Sequence, residues 1–258
     1  MPSNYAHYRF GKAVTAMLPP QVQRSVRQFR RMYDMGLHGP DIFFYHNILF
    51  RDQTVTLGKK THTLSGEAVF VPVCKQFRLE PNEAAMAYLY GVLAHYCLDS
   101  AAHPYVLEKV AEGKVSHAEM ETEFDRYLLQ LDGNRQPNTY DGSGHMTLTG
   151  GECETVSRFY DTTASAVRTS VKGMAFLVKF LAMPNGNFRR FAEKCAGSKF
   201  RQHFMTRTPN KNCDGLNEPL LECYQRAMDA FPAMVEAFTA HLEEETPLGD
   251  LFQATFNG

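Results

Sequence analysis

One stretch constrains this chain more than any other: PNEAAMAYLYGVLAHYCLDSAAHPYVLEKVAE, from Pro81 to Glu112. Proline and acidic residues occupy its first turn, and a long Ala-, Leu- and Tyr-rich face follows, which predicts a core helix. Pro104 lies inside it and is expected to bend or break the helix just after His103. Helical periodicity prevails elsewhere too, so the expectation is an all-α fold built as a single multi-helix domain over residues 1–258.

Further helices are expected from Tyr5 to Leu18, stopped by Pro19-Pro20, and through QVQRSVRQFRRMYDM up to the turn at Gly36 to Pro40. Asp41 should open another over IFFYHNILF, and one more runs from His62 to Phe77 with an interruption at Pro72. Ser116 reads as an N-cap with Glu119 completing a capping box, which places His117 in the first turn of a helix reaching Leu131. The polar stretch from Asp132 to Gly151 is a long loop, with Met146 to Thr149 as a short extended piece. Helices are then predicted over Glu152–Met183, Phe188–Cys195 and Glu218–Glu245.

Lys plus Arg (27) nearly balances Asp plus Glu (28), and a net charge of −1 argues against broad electrostatic binding of nucleic acid or anionic membrane. No signal-peptide pattern opens the chain. The longest apolar run, MAFLVKFLAM (Met174 to Met183), is interrupted by Lys179 and is shorter than the roughly 20 residues a span needs. The six cysteines (74, 97, 153, 195, 213, 223) form no C-x-x-C pair and are expected to be reduced. Together these point to a cytoplasmic protein without a transmembrane segment.

Inside the apolar helix, His95, Asp99 and His103 recur every four residues and so share one face. His95 and Asp99 can reach one metal ion between them, and a carboxylate between two imidazoles can touch two. His117 and Glu121 repeat the spacing on the next helix. Ten His among 28 acidic residues give about one such pair by chance, and the pair His241/Glu245 in HLEEE is expected to be a solvated face. Spacing alone leaves open a plainer arrangement, in which the imidazoles make ordinary hydrogen bonds and Asp99 pairs with an arginine.

HYCLDSAAHP, followed by HAEME at 117–121, resembles the zinc-dependent phospholipase C family of bacteria, all-helical enzymes with a metal cluster. GPDIFFYH at 39–46 is similar to the family's GPD-aromatic turn, THTLSG around His62 to its next His element, and AHYRFGKAV around His7 to its N-terminal His segment. These motifs cover residues 7–121 in the family's order. The resemblance implies a first metal on Asp41, His62, His95 and Asp99 and a second on His103, His117 and Glu121. A third site in secreted members uses an N-terminal Trp, a His matching His7 and the Asp matching Asp99. This chain has no Trp, so two ions are expected, with His7 near the cluster.

Imidazole and carboxylate donors without thiolate suit Zn²⁺, and admit Mn²⁺ or Fe²⁺. Three carboxylates against two divalent ions leave a site that favours an anionic phosphate ester, attacked by a metal-activated water. Asp41 is the carboxylate expected to orient or deprotonate that water. The implied activity is phosphodiester hydrolysis, on a lipid or other small phosphate ester. Two alternatives remain: a nucleotide or nucleic-acid phosphodiesterase, disfavoured by the balanced charge and missing Trp, and a non-catalytic protein stapled by its metals.

His46 is a second choice to His62 as a ligand. His38 is expected to be a turn residue and His145 a solvated loop residue, while basic neighbours of His203 disfavour a cation there. Ile42 stands where choline-specific members place Tyr, so choline specificity is not implied. RSVRQFRR (Arg24 to Arg31) is expected to be a solvated face, and MAFLVKFLAM to pack in the core rather than lie at a lipid interface.

Overall fold

A computed structural model describes residues 4–47, 52–184 and 186–258, and among them the regular structure is helical. The helices are α1 (Asn4–Val14), α2 (Pro20–Gln28), α3 (Arg30–Gly36), α4 (Gln53–His62), α5 (Gly66–Leu79) and α6 (Glu83–Ala111). There follow α7 (His117–Leu131), α8 (Gly150–Phe159), α9 (Ala164–Leu181), α10 (Asn187–Cys195), α11 (Ser198–Arg201) and α12 (Asn217–Glu244). No helix among them is long and apolar enough to cross a membrane.

The predicted core helix is α6, capped by Asn82, whose side chain accepts from Ala85 N. It is buried from Ala87 through Asp99 because α3 and α12 pack along it and α1, α2, α5, α7 and α8 close the rest. α3 crosses it backbone to backbone. A Cβ on Gly91 would meet the Tyr33 carbonyl oxygen and Gly36 Cα, the latter at 2.8 Å, so only glycine permits this approach.

Several boundaries differ from expectation. Pro104 does not end α6, which continues to Ala111. A proline costs only the i−4 hydrogen bond, here that of the Ser100 carbonyl, and tertiary packing outweighs the loss. His62 closes α4 rather than opening the next helix, because Ser65 caps α5 with its hydroxyl on Ala68 N; Pro72 sits inside α5 without interrupting it. Phe29 (φ −113°, ψ 46°) divides the basic helix into α2 and α3. Asp161 in a left-handed turn (φ 48°) divides Glu152–Met183 into α8 and α9. Asp41 lies within a 3-10 turn, Gly39–Tyr45, and the remainder of the helix expected there extends outside the described residues. Met146–Thr149 forms no strand; the one isolated bridge among the described residues joins Ser65 and Thr255. Five of the six cysteines are buried and none is bonded to another.

Candidate metal centre

The α-helical period puts His95, Asp99 and His103 on one edge of α6, and the fold brings four more elements to that edge. Asp99 Oδ2 lies 3.1 Å from His95 Nε2, and Asp99 Oδ1 lies 3.8 Å from His103 Nε2. α1 contributes His7, whose Nε2 is 3.0 Å from Asp99 Oδ1 and whose ring stacks on that of His95 at 4.3 Å. The GPD turn contributes Asp41. Its glycine has φ +47°, and a Cβ there would come within 2.8 Å of His95 Cδ2, so the turn needs Gly39 on both counts.

The last residue of α4, His62, sets Nε2 2.8 Å from Asp41 Oδ1. At the start of α7, the capping box of Ser116 and Glu119 forms as expected and fixes the first turn. His117 Nε2 then reaches Glu121 Oε1 at 2.9 Å, and the same oxygen is 3.6 Å from His103 Nε2.

Two sets of donors close up tightly enough for single ions: His7, Asp41, His95 and Asp99, and separately His103, His117 and Glu121, with ligand atoms within 4.8 Å of one another in each. All eight expected residues thus converge. One detail differs from the expected sets. His7 joins the first group, whereas His62 stands beside it on Asp41.

A shared feature of three imidazoles decides what the cluster can hold. Nδ1 of His62 lies 2.6 Å from the Gly58 carbonyl oxygen, Nδ1 of His95 lies 3.1 Å from that of Leu37, and Nδ1 of His103 lies 2.7 Å from that of Phe256. A carbonyl only accepts, so each Nδ1 carries the hydrogen. In the neutral ring Nε2 then presents a lone pair, and each of these lone pairs faces a carboxylate. Such an arrangement requires a cation between them, either a proton or a metal ion.

Among the described residues no lysine or arginine pairs with these carboxylates. Asp41, Asp99 and Glu121 are 2%, 3% and 7% exposed, and their ion-pair partners among the described residues are histidines alone. Buried oxygens Asp41 Oδ2, Asp99 Oδ2 and Glu121 Oε2, and nitrogens His7 Nδ1 and His95 Nε2, make no hydrogen bond, although some lie close to a neighbour. Orphaned polar atoms converging in this number fit a metal centre.

The metal-free chain answers the same demand with protons. Burial works against charge on His103, yet Asp99 and Glu121 overcome it and push its pKa up to about 10. Burial likewise opposes the charged form of His95, and Asp99 and Asp41 raise it regardless. Asp99 is held well below the usual carboxylate range against its burial by His103, His95 and His7, and Glu121 is lowered by His117 and His103.

The cluster opens on one side into a cleft of about 350 Å³ whose walls include Asp41, Phe44, Lys59, His62, His117 and Asn257. Lys59 is the only lysine or arginine on this wall among the described residues. It sits three residues before His62 and shares its helical face, a spacing that is legible in the sequence. Asn257 and the Phe256 carbonyl carried no such signal. A second cavity, of about 90 Å³, lies between α1, α7 and α9; it is lined by Tyr5, Tyr8, Tyr140 and His145 among others, and by none of the eight cluster residues.

The other five histidines fall elsewhere. His46 pairs with Asp52 at 2.8 Å and not with Asp41. His145 is not solvated: its ring stacks on Tyr8 at 4.1 Å, and its Nε2 is 2.9 Å from that of His38, which is itself buried. Burial lowers His145 to about 4 and holds His38 well below its ordinary value. His203 lines the second cavity, where burial lowers it to about 4. His241, expected on a solvated face, is buried and donates Nδ1–H to the Thr246 carbonyl at 2.7 Å, because Glu245 turns left-handed (φ 58°) and folds the chain back.

Residues 6–169 match the family model described as zinc dependent phospholipase C. No curated protein matches the chain, and no solved structure does.

Proposed function

The chain belongs to the zinc dependent phospholipase C family, and on that premise we propose that it hydrolyses phosphodiesters at the cluster around Asp99, with two zinc ions. His7, Asp41, His95 and Asp99 would hold one ion, with His62 beside it on Asp41, and His103, His117 and Glu121 the other. Bound zinc would supply Lewis acidity and an acidified water.

The protein's own groups perform the rest. Nδ1 hydrogen bonds fix the rings of His62, His95 and His103, so the donor set is in place before any ligand arrives. Asp41 uses Oδ1 on His62 and keeps Oδ2 without a hydrogen bond, which suits that oxygen to take a proton from the attacking water. Lys59, on the cleft wall, offers an ammonium to a non-bridging phosphate oxygen. We take residues 1–258 as one catalytic unit, since α12 packs along α6, Asn257 lines the cleft and the Phe256 carbonyl holds His103.

The observation that carries this reading is the set of lone pairs turned on buried carboxylates. Metal analysis of wild type and Asp99→Ala, run beside hydrolysis of a chromogenic phosphodiester, tests it. Zinc in the wild type, its loss in the variant and turnover only in the former are expected. Wild type that takes up no metal under any loading condition would overturn it, and metal without turnover of phosphate esters would favour a structural cluster.

A further inference from the structure

A surface helix ordinarily turns its apolar stripe inward; α10 does the reverse. Its buried face is a charge. Arg189 is 4% exposed and spends its guanidinium on the carbonyl oxygens of Asn138, Leu181, Met183 and Met205, at 2.6–3.2 Å, and on Glu193 at 2.7 Å. Steps of 100° per residue then place Arg190, Lys194, Phe191, Cys195 and Phe188 side by side around the opposite half. All of them are exposed, Phe188 by 68% and Phe191 by 64%.

The neighbouring α9 shows a related pattern. Met174, Leu177 and Val178 of MAFLVKFLAM pack inward as expected, but Phe176 stands 66% exposed between the exposed Lys172 and Lys179. Rings link the two helices: Phe176 stacks on Phe180, Phe180 meets Phe204, and the Arg189 guanidinium lies 5.5 Å over Phe204.

Charge is segregated here as well. Residues 172–201 hold seven basic side chains and one acidic, Glu193, which Arg189 engages, in a chain of net charge −1. The balanced total that argued against anionic surfaces conceals this concentration.

We propose that the outward half of α10 docks on an anionic phospholipid surface, with Phe188 and Phe191 entering the boundary between headgroups and acyl chains and Arg190 and Lys194 meeting lipid phosphates. Protruding aromatics ringed by lysine and arginine match that boundary in polarity and charge. The inference stands apart from the catalytic one, because binding is read without turnover.

Sedimentation of the zinc-loaded full chain with vesicles of phosphatidylcholine, alone or containing phosphatidylserine, tests it. Binding should be about tenfold stronger with phosphatidylserine and weaken as salt is raised. Phe188→Ser with Phe191→Ser should weaken binding at least about tenfold, and Arg190→Glu with Lys194→Glu should abolish the preference for phosphatidylserine. Both double variants should keep wild-type thermal unfolding and wild-type hydrolysis of a soluble phosphodiester. A wild type that binds no vesicle overturns the proposal, as does either variant binding like wild type. A dimer that the phenylalanine variants dissociate, without vesicle binding, assigns the face to a second copy and overturns it too.

Discussion

His103 donates its Nδ1 hydrogen across 2.7 Å to the carbonyl oxygen of Phe256, 153 residues further along the chain. The family match ends at residue 169, so one imidazole of the cluster takes its tautomer from a backbone group outside the recognised span. The Phe256 ring reinforces the arrangement, lying 5.5 Å from His62 and 5.8 Å from His95. Removing Phe256 to Gly258 should therefore weaken zinc binding by about 10- to 100-fold, the usual consequence of losing an outer hydrogen bond to a ligand. Competition with a chromogenic chelator measures this, and an unchanged affinity would refute the role given to the Phe256 carbonyl.

Asp99 contacts His7, His95 and His103 at once. Asp99→Ala should lower zinc affinity by more than about 100-fold, beyond the cost of an outer contact, and leave fewer ions per chain by elemental analysis. Asp99→Asn keeps the volume and separates the effects: it should retain the fold while losing the metal.

In the metal-free chain the His103 proton contributes to stability, because the folded pKa of about 10 lies above the ordinary 6.5. That contribution is complete below pH 6.5 and disappears as pH rises through 10. Asp99 and Glu121 are lowered, so theirs is complete above their ordinary values of 3.8 and 4.5 and disappears on acidification. Denaturant midpoints in the presence of a chelator should fall at both ends. Zinc uptake near neutral pH should also release protons, visible as a dependence of binding enthalpy on buffer ionisation enthalpy.

Lys59→Met should raise the KM for a phosphodiester, and weaken competitive inhibition by inorganic phosphate, by about tenfold or more, the worth of a charge-assisted hydrogen bond. Metal content should stay at the wild-type level and Lys59→Arg should restore most of the loss. A fall in kcat with KM unchanged would count against ground-state phosphate binding by Lys59.

Gly91→Ala should destabilise the protein by about 1–3 kcal/mol, read from denaturant midpoints, since the added methyl meets main chain of α3 that has no rotamer to change. Gly36→Ala, at the facing position, should do the same.

What the sequence disclosed was local. His95, Asp99 and His103 are legible as a stripe because the helical period alone sets them on one face, and His117 with Glu121 because Ser116 and Glu119 announce the helix start. The partners brought by tertiary packing were hidden. Nothing in the polar and aromatic composition of the tail, PLGDLFQATFNG, signals a carbonyl for His103, and HLEEE gives no hint that Glu245 turns back to bury His241. Pro104 misled for the same reason: its helix-breaking tendency is local, and the packing that carries α6 to Ala111 is not.

Because His95 and Asp99 serve one donor group and His103 the other, both are mounted on a single rod. Asp99 and His103 are four residues apart, about 6 Å of rise along the helix, and no loop intervenes to alter it. Loops around the cleft can change length or sequence and so reshape what enters, while the distance between the two halves of the centre stays set by α6 like graduations on a ruler.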